Sequence, residues 1–183
     1  AMVGGIAANN ASGMCCGTAQ NSYNTLDGMR LVLADGTVLD TRDAASRQAF
    51  AAQRPDLAAA LAELGRSTRD NTPLADRIRH KFRLKNTTGY GLNALLDYTD
   101  PVDILAHLMI GSEGTLGFIS EITYLTVEEH AHKASALILF DHLETACSAV
   151  SALKATPVAA VELLDRASLR AVQDQPGMPA TLL

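Results

Sequence analysis

Two glycine-rich stretches contain the residue types best suited to hold a large ligand, one at residues 4–13 and one at residues 111–117. Glycine has no side chain and tolerates positive φ, so such loops let the backbone approach a ligand and direct its N–H groups at an anion or a ring. Glu113 lies between glycines of the second loop. A carboxylate there is costly to bury without N–H partners, so Glu113 either braces the turn or contacts a ligand hydroxyl.

The sequence lacks the standard catalytic and phosphate-binding motifs. It has no GxGxxG after a predicted strand, no GxxxxGK[ST] loop and no GxSxG turn. His130 and His132 could hold a metal on an extended chain, although a solvated pair is the simpler interpretation. The adjacent Cys15 and Cys16 and the distant Cys147 form no CxxC spacing, so we expect reduced thiols in a cytoplasmic protein.

The composition is that of a folded protein with no nucleic-acid surface. Hydrophobic residues make up 48% of the 183 residues, and 20 acidic against 15 basic residues give a net charge of −5. With 4% aromatics and no Trp, a base-stacking platform is not expected. No apolar run approaches the roughly 18 residues of a membrane span. Residues 1–24 contain no charged side chain, which predicts an ordered, partly buried loop rather than a tail.

The first half of the chain predicts a hairpin followed by helices. Residues 29–33 alternate between core and solvent, and Asp35-Gly36 predicts a two-residue turn into residues 37–39. Residues 43–84 are predicted to form three helices. Gly65 is expected to end the second of them, and Thr72 to cap the third. The third helix carries a basic cluster that is either a solvated face or a contact for an anionic cofactor or a partner subunit: Arg77, Arg79, His80, Lys81, Arg83 and Lys85.

The second half predicts a helix, a strand and a separate small domain. A helix begins at Asp100-Pro101 and ends at Gly111, and a strand follows over residues 118–127 with Ile119, Leu125 and Val127 on one face. A hydrophilic break then separates residues 1–128 from residues 134–183. The second part predicts strands at 136–140 and 157–163 and helices at 143–154 and 165–172. This β-α-β-α order is that of a ferredoxin-like unit cut short.

Two blocks of sequence resemble a family of flavoproteins. GGIAANNASG at residues 4–13 and MRLVLADG at 29–36 resemble the GGxxAxNxxG…VLADG block of FAD-linked oxidases of the vanillyl-alcohol-oxidase and p-cresol-methylhydroxylase type. KNTTGYGL at 85–92 and GSEGTLGFISE at 111–121 resemble the NTGYxL…GSEGTLGxxTE block of the same family. The nearest branch is that of the D-2-hydroxyacid dehydrogenases, including D-lactate, glycolate and D-2-hydroxyglutarate dehydrogenases.

The resemblance implies an α+β fold. Residues 1–128 would form the second subdomain of the FAD-binding domain, an antiparallel sheet flanked by helices, with a helical insertion at about residues 43–84. Residues 134–183 would begin the ferredoxin-like cap domain. The first subdomain and the rest of the cap are missing, so we expect a fragment that is inactive alone. The insertion and the Cys15-Cys16 pair are departures from the family pattern.

The resemblance also implies a set of FAD-contacting residues. The first block would approach the flavin and diphosphate, the loop of the second would follow the ribityl–adenosine part, and the next strand would border the adenine. These residues are Gly4, Gly5, Asn10, Ser12, Gly13, Glu113, Gly114, Gly117 and Ile119. No catalytic residue and no metal ligand carries over to this chain.

By resemblance, the parent enzyme oxidises a D-2-hydroxy acid such as D-lactate to the 2-oxo acid with FAD. It would pass electrons to a cytochrome, a quinone or another flavoprotein, in the cytoplasm or at the periphery of the inner membrane, and its missing C-terminal part could hold an iron–sulfur cluster. The chain itself would self-associate through the half-interface that its missing subdomain normally covers. The alternatives are a non-catalytic interaction fragment that binds no flavin, and another FAD enzyme on this fold, such as a reductase or an alcohol oxidase.

Overall fold

The described part of the chain forms short helices and one small antiparallel sheet. The computed structural model describes residues 2–13 and 16–177, so that Cys15 lies outside the described residues. The chain divides into two units, residues 1–128 and 129–183, and each is described by itself. The α+β class expected from the sequence is confirmed.

Unit 1 contains the sheet and the larger group of helices. Its elements in chain order are α1 (Val3–Asn9), β1 (Leu26–Val32), β2 (Val38–Asp40), α2 (Ala44–Gln53), α3 (Pro55–Asp70), α4 (Thr72–Lys81), α5 (Ala94–Asp97), α6 (Pro101–Met109) and β3 (Phe118–Tyr124). The strand order is β2-β1-β3, and both pairings are antiparallel. Unit 2 contains α7 (Leu143–Leu153) and α8 (Arg166–Val172).

The predicted hairpin is present, with a longer turn than expected. Met29, Leu31 and Leu33 are buried, as their alternation predicts. The turn has three residues rather than two. The Gly36 N–H donates to the Leu33 carbonyl at 2.9 Å, and the Leu33 N–H donates to the Thr37 carbonyl at 2.9 Å. Gly36 takes φ 85°, the left-handed conformation that closes a three-residue hairpin loop built on a type I turn.

A bulge in β3 changes which side chains reach the core. Arg30 pairs with Glu121 but Leu31 pairs with Ile119, so Ser120 is an extra residue on β3. An extra residue reverses the alternation beyond it. Ile119, just before the bulge, is buried. Beyond the bulge the inward-facing positions are therefore Ile122 and Tyr124, which pack on the core. The expectation that Leu125 and Val127 share the face of Ile119 is wrong, because these two side chains are 58% and 52% exposed.

The first 24 residues are not a loop throughout, because α1 forms within them. Two glycines make VGGIAAN a poor helix sequence, so packing must supply the stability. Ala7 is completely buried, and α1 lies against β3. A Cβ on Gly4 would come within 3.1 Å of the Ile119 carbonyl oxygen, so the first block uses this glycine for close packing.

The helical segment at 43–84 is present, with two boundaries that differ from expectation. α3 continues through Gly65, which is buried inside the helix. A Cβ there would lie 3.1 Å from Ile104 Cδ1 of α6, so this glycine permits close helix packing instead of ending a helix. The cap of α4 is Asn71 rather than Thr72, because the Asn71 side chain accepts from the Leu74 N–H. The basic cluster that follows from Arg77 is exposed.

Helix α6 is the centre of the core, as its apolar stripe predicts. Asp100 caps it by accepting from the backbone N–H groups of Val102 and Asp103. Every residue from Ile104 to Met109 is buried. Arg47 on α2 bonds Asp100 at 2.9 Å and Asp103 at 2.8 Å, which ties α2 to the start of α6.

Unit 2 contains its two predicted helices but neither predicted strand. Residues 136–140 and 157–163 have no ladder partner within the described residues, 129–177. A strand is defined by the hydrogen bonds of a neighbour, and β-prone composition alone does not supply one. No side chain of residues 129–177 is buried.

Candidate functional site

The end of α1 is joined to the second glycine-rich loop by backbone hydrogen bonds. The last carbonyls of a helix have no partner within it. Here the Ala7 carbonyl accepts from Gly111 N–H at 3.3 Å, and the Ala8 carbonyl accepts from Glu113 N–H at 2.9 Å. The Asn9 side-chain amide also donates to Glu113 Oε1 at 2.7 Å. The two motifs are therefore adjacent although about a hundred residues separate them.

A third loop, residues 85–91, completes this arrangement. Lys85 Nζ donates to the Ser12 carbonyl at 2.7 Å, and the Asn10 side chain donates to the Asn86 carbonyl at 3.3 Å. The Tyr90 hydroxyl lies 2.8 Å from Thr115 Oγ1. We call residues 10–13, 85–91 and 111–117 the loop cluster. It brings both family-like blocks to one edge of unit 1.

The Glu113 carboxylate braces the turn, which is one of its two expected roles. Its backbone lies at φ 53°, a conformation that is uncommon for a residue with a side chain. The bond from Asn9 and the bond to Ala8 hold it there. The side chain remains exposed, so a ligand hydroxyl could still reach the carboxylate. The second role therefore stays a prediction.

The residues predicted to contact FAD fall into two groups. Gly5, Gly13 and Gly114 are exposed, and an added Cβ would have no atom within 4 Å, so their backbones are open to a ligand. Asn10 and Ser12 are partly buried beside them. Gly4, Gly117 and Ile119 instead pack against protein. A Cβ on Gly117 would lie 3.1 Å from the Val32 carbonyl, and Gly4 lies against Ile119, whose side chain is buried.

Residues of the loop cluster line part of a small cavity of about 30 Å³, whose lining includes Asn10, Asn86 and Asn93. Asn10 Oδ1 and Asn93 Oδ1 are buried without a hydrogen-bond partner. Their amide nitrogens already donate, to the Asn86 carbonyl and to Asp97 respectively. The two oxygens are therefore acceptors in need of a donor. A cavity of this size has room for one water-sized group, such as a ligand hydroxyl.

A buried cluster of aromatic residues supports the loop cluster from inside, and sequence reasoning missed it. His107 stacks on Tyr98 with ring centroids 3.9 Å apart and meets the edge of Tyr23 at 4.9 Å. The Tyr23 hydroxyl donates to Asp97 at 2.7 Å. Burial, followed by the bond to Asp97, raises the pKa of Tyr23. The available signal was a histidine inside the apolar stripe of α6.

We expect this cluster to make the stability of unit 1 dependent on pH. Burial lowers the pKa of His107 below its ordinary value, against smaller opposing contributions from Asp103 and Asp97. In the unfolded chain His107 therefore takes up a proton as pH falls below about 6.5, whereas in the folded chain it stays neutral to lower pH. We expect the free energy of unfolding to decrease from pH 7 toward about pH 5. Denaturant unfolding at a series of pH values measures this.

The control for the pH prediction is His107→Gln, which should remove this part of the pH dependence. The carboxylates of unit 1 with lowered pKa values, Asp35 and Asp56, lose their contribution only as pH falls below their ordinary value of 3.8, outside this window. An unchanged slope between pH 5 and 7 in His107→Gln would show that another group is responsible.

The described residues provide no evident metal centre. Across residues 2–13 and 16–177, no group of three or more His, Cys, Asp or Glu side chains is placed to hold a metal ion. His130 and His132 are exposed. Cys16 lies beside the first glycine-rich loop, and its thiol donates to the Gly13 carbonyl at 2.9 Å. Within the same residues, no helix has both the length and the apolar character needed to cross a membrane.

Comparison with known protein families matches both ends of the chain to domains of FAD-linked oxidases. Residues 1–42 match the family described as "FAD binding domain", and residues 129–183 match "FAD linked oxidases, C-terminal domain". The chain belongs to the FAD-linked oxidases. Neither match includes residues 43–128, which contain two of the three loops of the cluster.

One relative matches part of this chain. The glycolate oxidase subunit GlcD of Bacillus subtilis (strain 168) is 33% identical over 72 residues. These residues are 38% of this chain and 15% of that protein. The match therefore covers a small part of the relative's length. No solved structure matches the chain at a significant level.

Proposed function

We propose that unit 1 forms part of the FAD site of an oxidoreductase that oxidises a 2-hydroxy acid, of which D-lactate and glycolate are the leading examples. The observation that carries the proposal is the convergence of both family-like blocks in the loop cluster. FAD when bound supplies the electron acceptor, and the protein supplies its binding and orientation. The 2-hydroxy-acid part rests on the resemblance and on the name of the GlcD relative.

The loop cluster, together with Gly5 on the adjacent helix α1, has the chemistry to hold the non-reacting part of FAD. The open backbones at Gly5, Gly13 and Gly114 allow a flat or phosphorylated group to approach closely. Lys85 places a positive charge beside Ser12, which favours a diphosphate. Asn10 Oδ1 is an acceptor for a sugar-like hydroxyl. The residues present therefore fit the cofactor that the family uses.

Binding of FAD by the full chain tests the proposal. We expect saturable quenching of flavin fluorescence with FAD, weaker quenching with FMN, and no competition by NADPH. Gly5→Val should raise the dissociation constant for FAD at least about tenfold, since a β-branched side chain would fill the space open to the ligand. Its fold should be unaffected, because Gly5 is exposed and nothing lies within 4 Å of an added Cβ.

The matched control for Gly5→Val is Ala52→Val, which adds a branched side chain to an exposed position of another helix. Thermal unfolding should show both variants folded. Equal affinity for FAD in Gly5→Val and in the unchanged chain would remove Gly5 from the site. No quenching up to about 1 mM FAD, a binding free energy weaker than about −4 kcal/mol, would contradict FAD binding by this chain.

The substrate class is tested separately on flavin-loaded protein. D-lactate, glycolate and D-2-hydroxyglutarate, with their L-isomers where these exist, are supplied with an artificial electron acceptor. Reduction by a 2-hydroxy acid supports the proposal. Reduction by NADPH or by a simple alcohol alone would instead favour a reductase or an alcohol oxidase. A cytoplasmic or membrane-peripheral enzyme, a cytochrome, quinone or flavoprotein acceptor, and a further iron–sulfur cluster belong to the proposal through the resemblance alone.

A further inference from the structure

The small cavity of unit 1 is lined by oxygen acceptors and by no charged side chain. Among the described residues of its lining are five asparagines, and none is Lys, Arg, Asp or Glu. Asn10 Oδ1 and Asn93 Oδ1 are buried and accept no hydrogen bond from the described residues. Their amide nitrogens donate to the Asn86 carbonyl at 3.3 Å and to Asp97 Oδ2 at 3.1 Å. Turning either amide around would place oxygen against oxygen, so both acceptors are fixed in this orientation.

Two backbone carbonyls of the lining, those of Gly89 and Ile110, also accept no hydrogen bond from the described residues. Ile110 is 1% exposed, so its carbonyl is withdrawn from water. Buried carbonyls without a partner are rare in folded proteins. The Ile110 oxygen and Asn93 Oδ1 lie 3.4 Å and 3.5 Å from the position that a Cβ on Gly91 would take. The lining therefore contains three buried oxygens without a donor, and a fourth on the exposed Gly89.

We propose that this cavity binds a monovalent metal cation, K⁺ or Na⁺, through these neutral oxygens. Backbone carbonyl oxygens can replace the hydration shell of such an ion. The cavity of about 30 Å³ has room for one group the size of a water molecule, and K⁺ is of similar size. Ca²⁺ and Mg²⁺ fit less well, because their protein sites use carboxylates and the described lining has none.

A water molecule satisfies this set of oxygens less completely than a cation does. Water donates two hydrogen bonds, so one of the three buried oxygens would stay without a partner, which is costly. A cation attracts all of them at once. A ligand hydroxyl that reaches Asn10 is compatible with the cation, because an amide oxygen has two lone pairs.

Asp97 places a negative charge behind the cavity. Its Oδ2 accepts from the Asn93 amide and, at 2.7 Å, from the Tyr23 hydroxyl. Both donors are neutral, so they leave the charge of the carboxylate in place. An amide whose nitrogen bonds a carboxylate is polarised toward its oxygen, which makes Asn93 Oδ1 a stronger cation ligand.

Thermal unfolding of the full chain in different salts tests the site. KCl, NaCl and choline chloride are compared at equal ionic strength, because choline carries the same charge but is too large for the cavity. K⁺ or Na⁺ should raise the melting temperature saturably, by about 3–6 °C at a tenfold excess over the dissociation constant. The larger increase identifies the preferred ion. Equal melting temperatures in the three salts would overturn the proposal and would leave water as the occupant.

Asn93→Ala should abolish the difference between the salts, because it removes one of the oxygen ligands. The matched control is Asn9→Ala, which loses the bond to Glu113 but does not line the cavity, so its melting temperature should still depend on the cation. A cation dependence that persists in folded Asn93→Ala would place the ion elsewhere and contradict this site.

Nuclear magnetic resonance of the unchanged chain tests the same ligands without a variant. The side-chain amide signals of Asn10 and Asn93 should shift saturably as K⁺ or Na⁺ is added. The signal of Asn71, which caps α4 outside the cavity, should not. Unshifted Asn10 and Asn93 signals would overturn the site even if the salts differ in their effect on stability. These measurements need no flavin, so their outcome is independent of FAD binding.

Discussion

Gly111→Ala should destabilise unit 1 by about 2–3 kcal/mol, because alanine at this position meets two separate penalties. The backbone has φ 87°, a conformation that L-residues with a Cβ rarely adopt. The new Cβ would also lie 3.1 Å from the Gly89 carbonyl oxygen. That contact is with backbone, so relief requires the loops at 85–91 and 111–117 to move apart.

Gly114→Ala is the control that separates the two penalties. Its φ is 76°, but no atom lies within 4 Å of an added Cβ. Only the conformational penalty applies, and about 1 kcal/mol is expected. Urea unfolding of the two variants and the unchanged chain gives the difference. Equal losses of stability would show that the loops at residues 85–91 and 111–117 do not press together at Gly111.

The Gly111 change should also weaken FAD binding if the loop cluster is the FAD site. Gly111 N–H bonds the Ala7 carbonyl at the end of α1, so its displacement disturbs all three loops. Flavin titration of folded Gly111→Ala measures this. A variant with reduced stability but unchanged affinity would leave the packing argument intact and would contradict the placement of FAD at these loops.

Phe50→Ala should destabilise unit 1 by about 3–5 kcal/mol, the range typical of a phenylalanine removed from a core. Phe50 lies on α2, within the inserted segment, and is 1% exposed. Helix α2 packs against β2 and α3, so the cavity would open between the sheet and the insertion. Against a total of roughly 5–15 kcal/mol, a loss of this size lowers the melting temperature substantially.

Leu64→Ala is the matched control for Phe50→Ala. It also truncates a large apolar side chain on an inserted helix, but Leu64 is 48% exposed, so a change within about 0.5 kcal/mol is expected. Thermal and urea unfolding of both variants measure the contrast. A small effect of Phe50→Ala would mean that the insertion is a peripheral addition. The expected large effect means that unit 1 needs the insertion to complete its core.

Local signals predicted most of the elements. The Asp-Gly turn between alternating residues predicts the hairpin, and Asp100 before Pro101 predicts the start of α6, because turn and cap chemistry act over a few residues. The two family-like blocks predict which loops would contact FAD. The family matches at both ends of the chain agree with that resemblance.

The errors lie where packing decides the conformation. Helix α1 contains two glycines and forms because Ala7 is buried and Gly4 lies against Ile119. Gly65 remains inside α3 because Ile104 of α6 occupies the space beside it. Propensity disfavours glycine in both helices, and contacts between distant segments outweigh it.

The candidate site likewise combines features that the local sequence predicts with features that only tertiary packing determines. Residue types in the two blocks indicate loops that can approach a phosphorylated ligand. They do not indicate that Glu113 bonds Asn9, that Lys85 bonds Ser12, or that a stacked His107 lies behind the loops. Short-range chemistry therefore defines the hairpin, the helix caps and the two glycine-rich motifs of this protein. The side chains that reach the core, and the loops that meet in the loop cluster, depend on a bulge, on close glycine contacts and on long-range hydrogen bonds, which form only when distant parts of the chain are folded together.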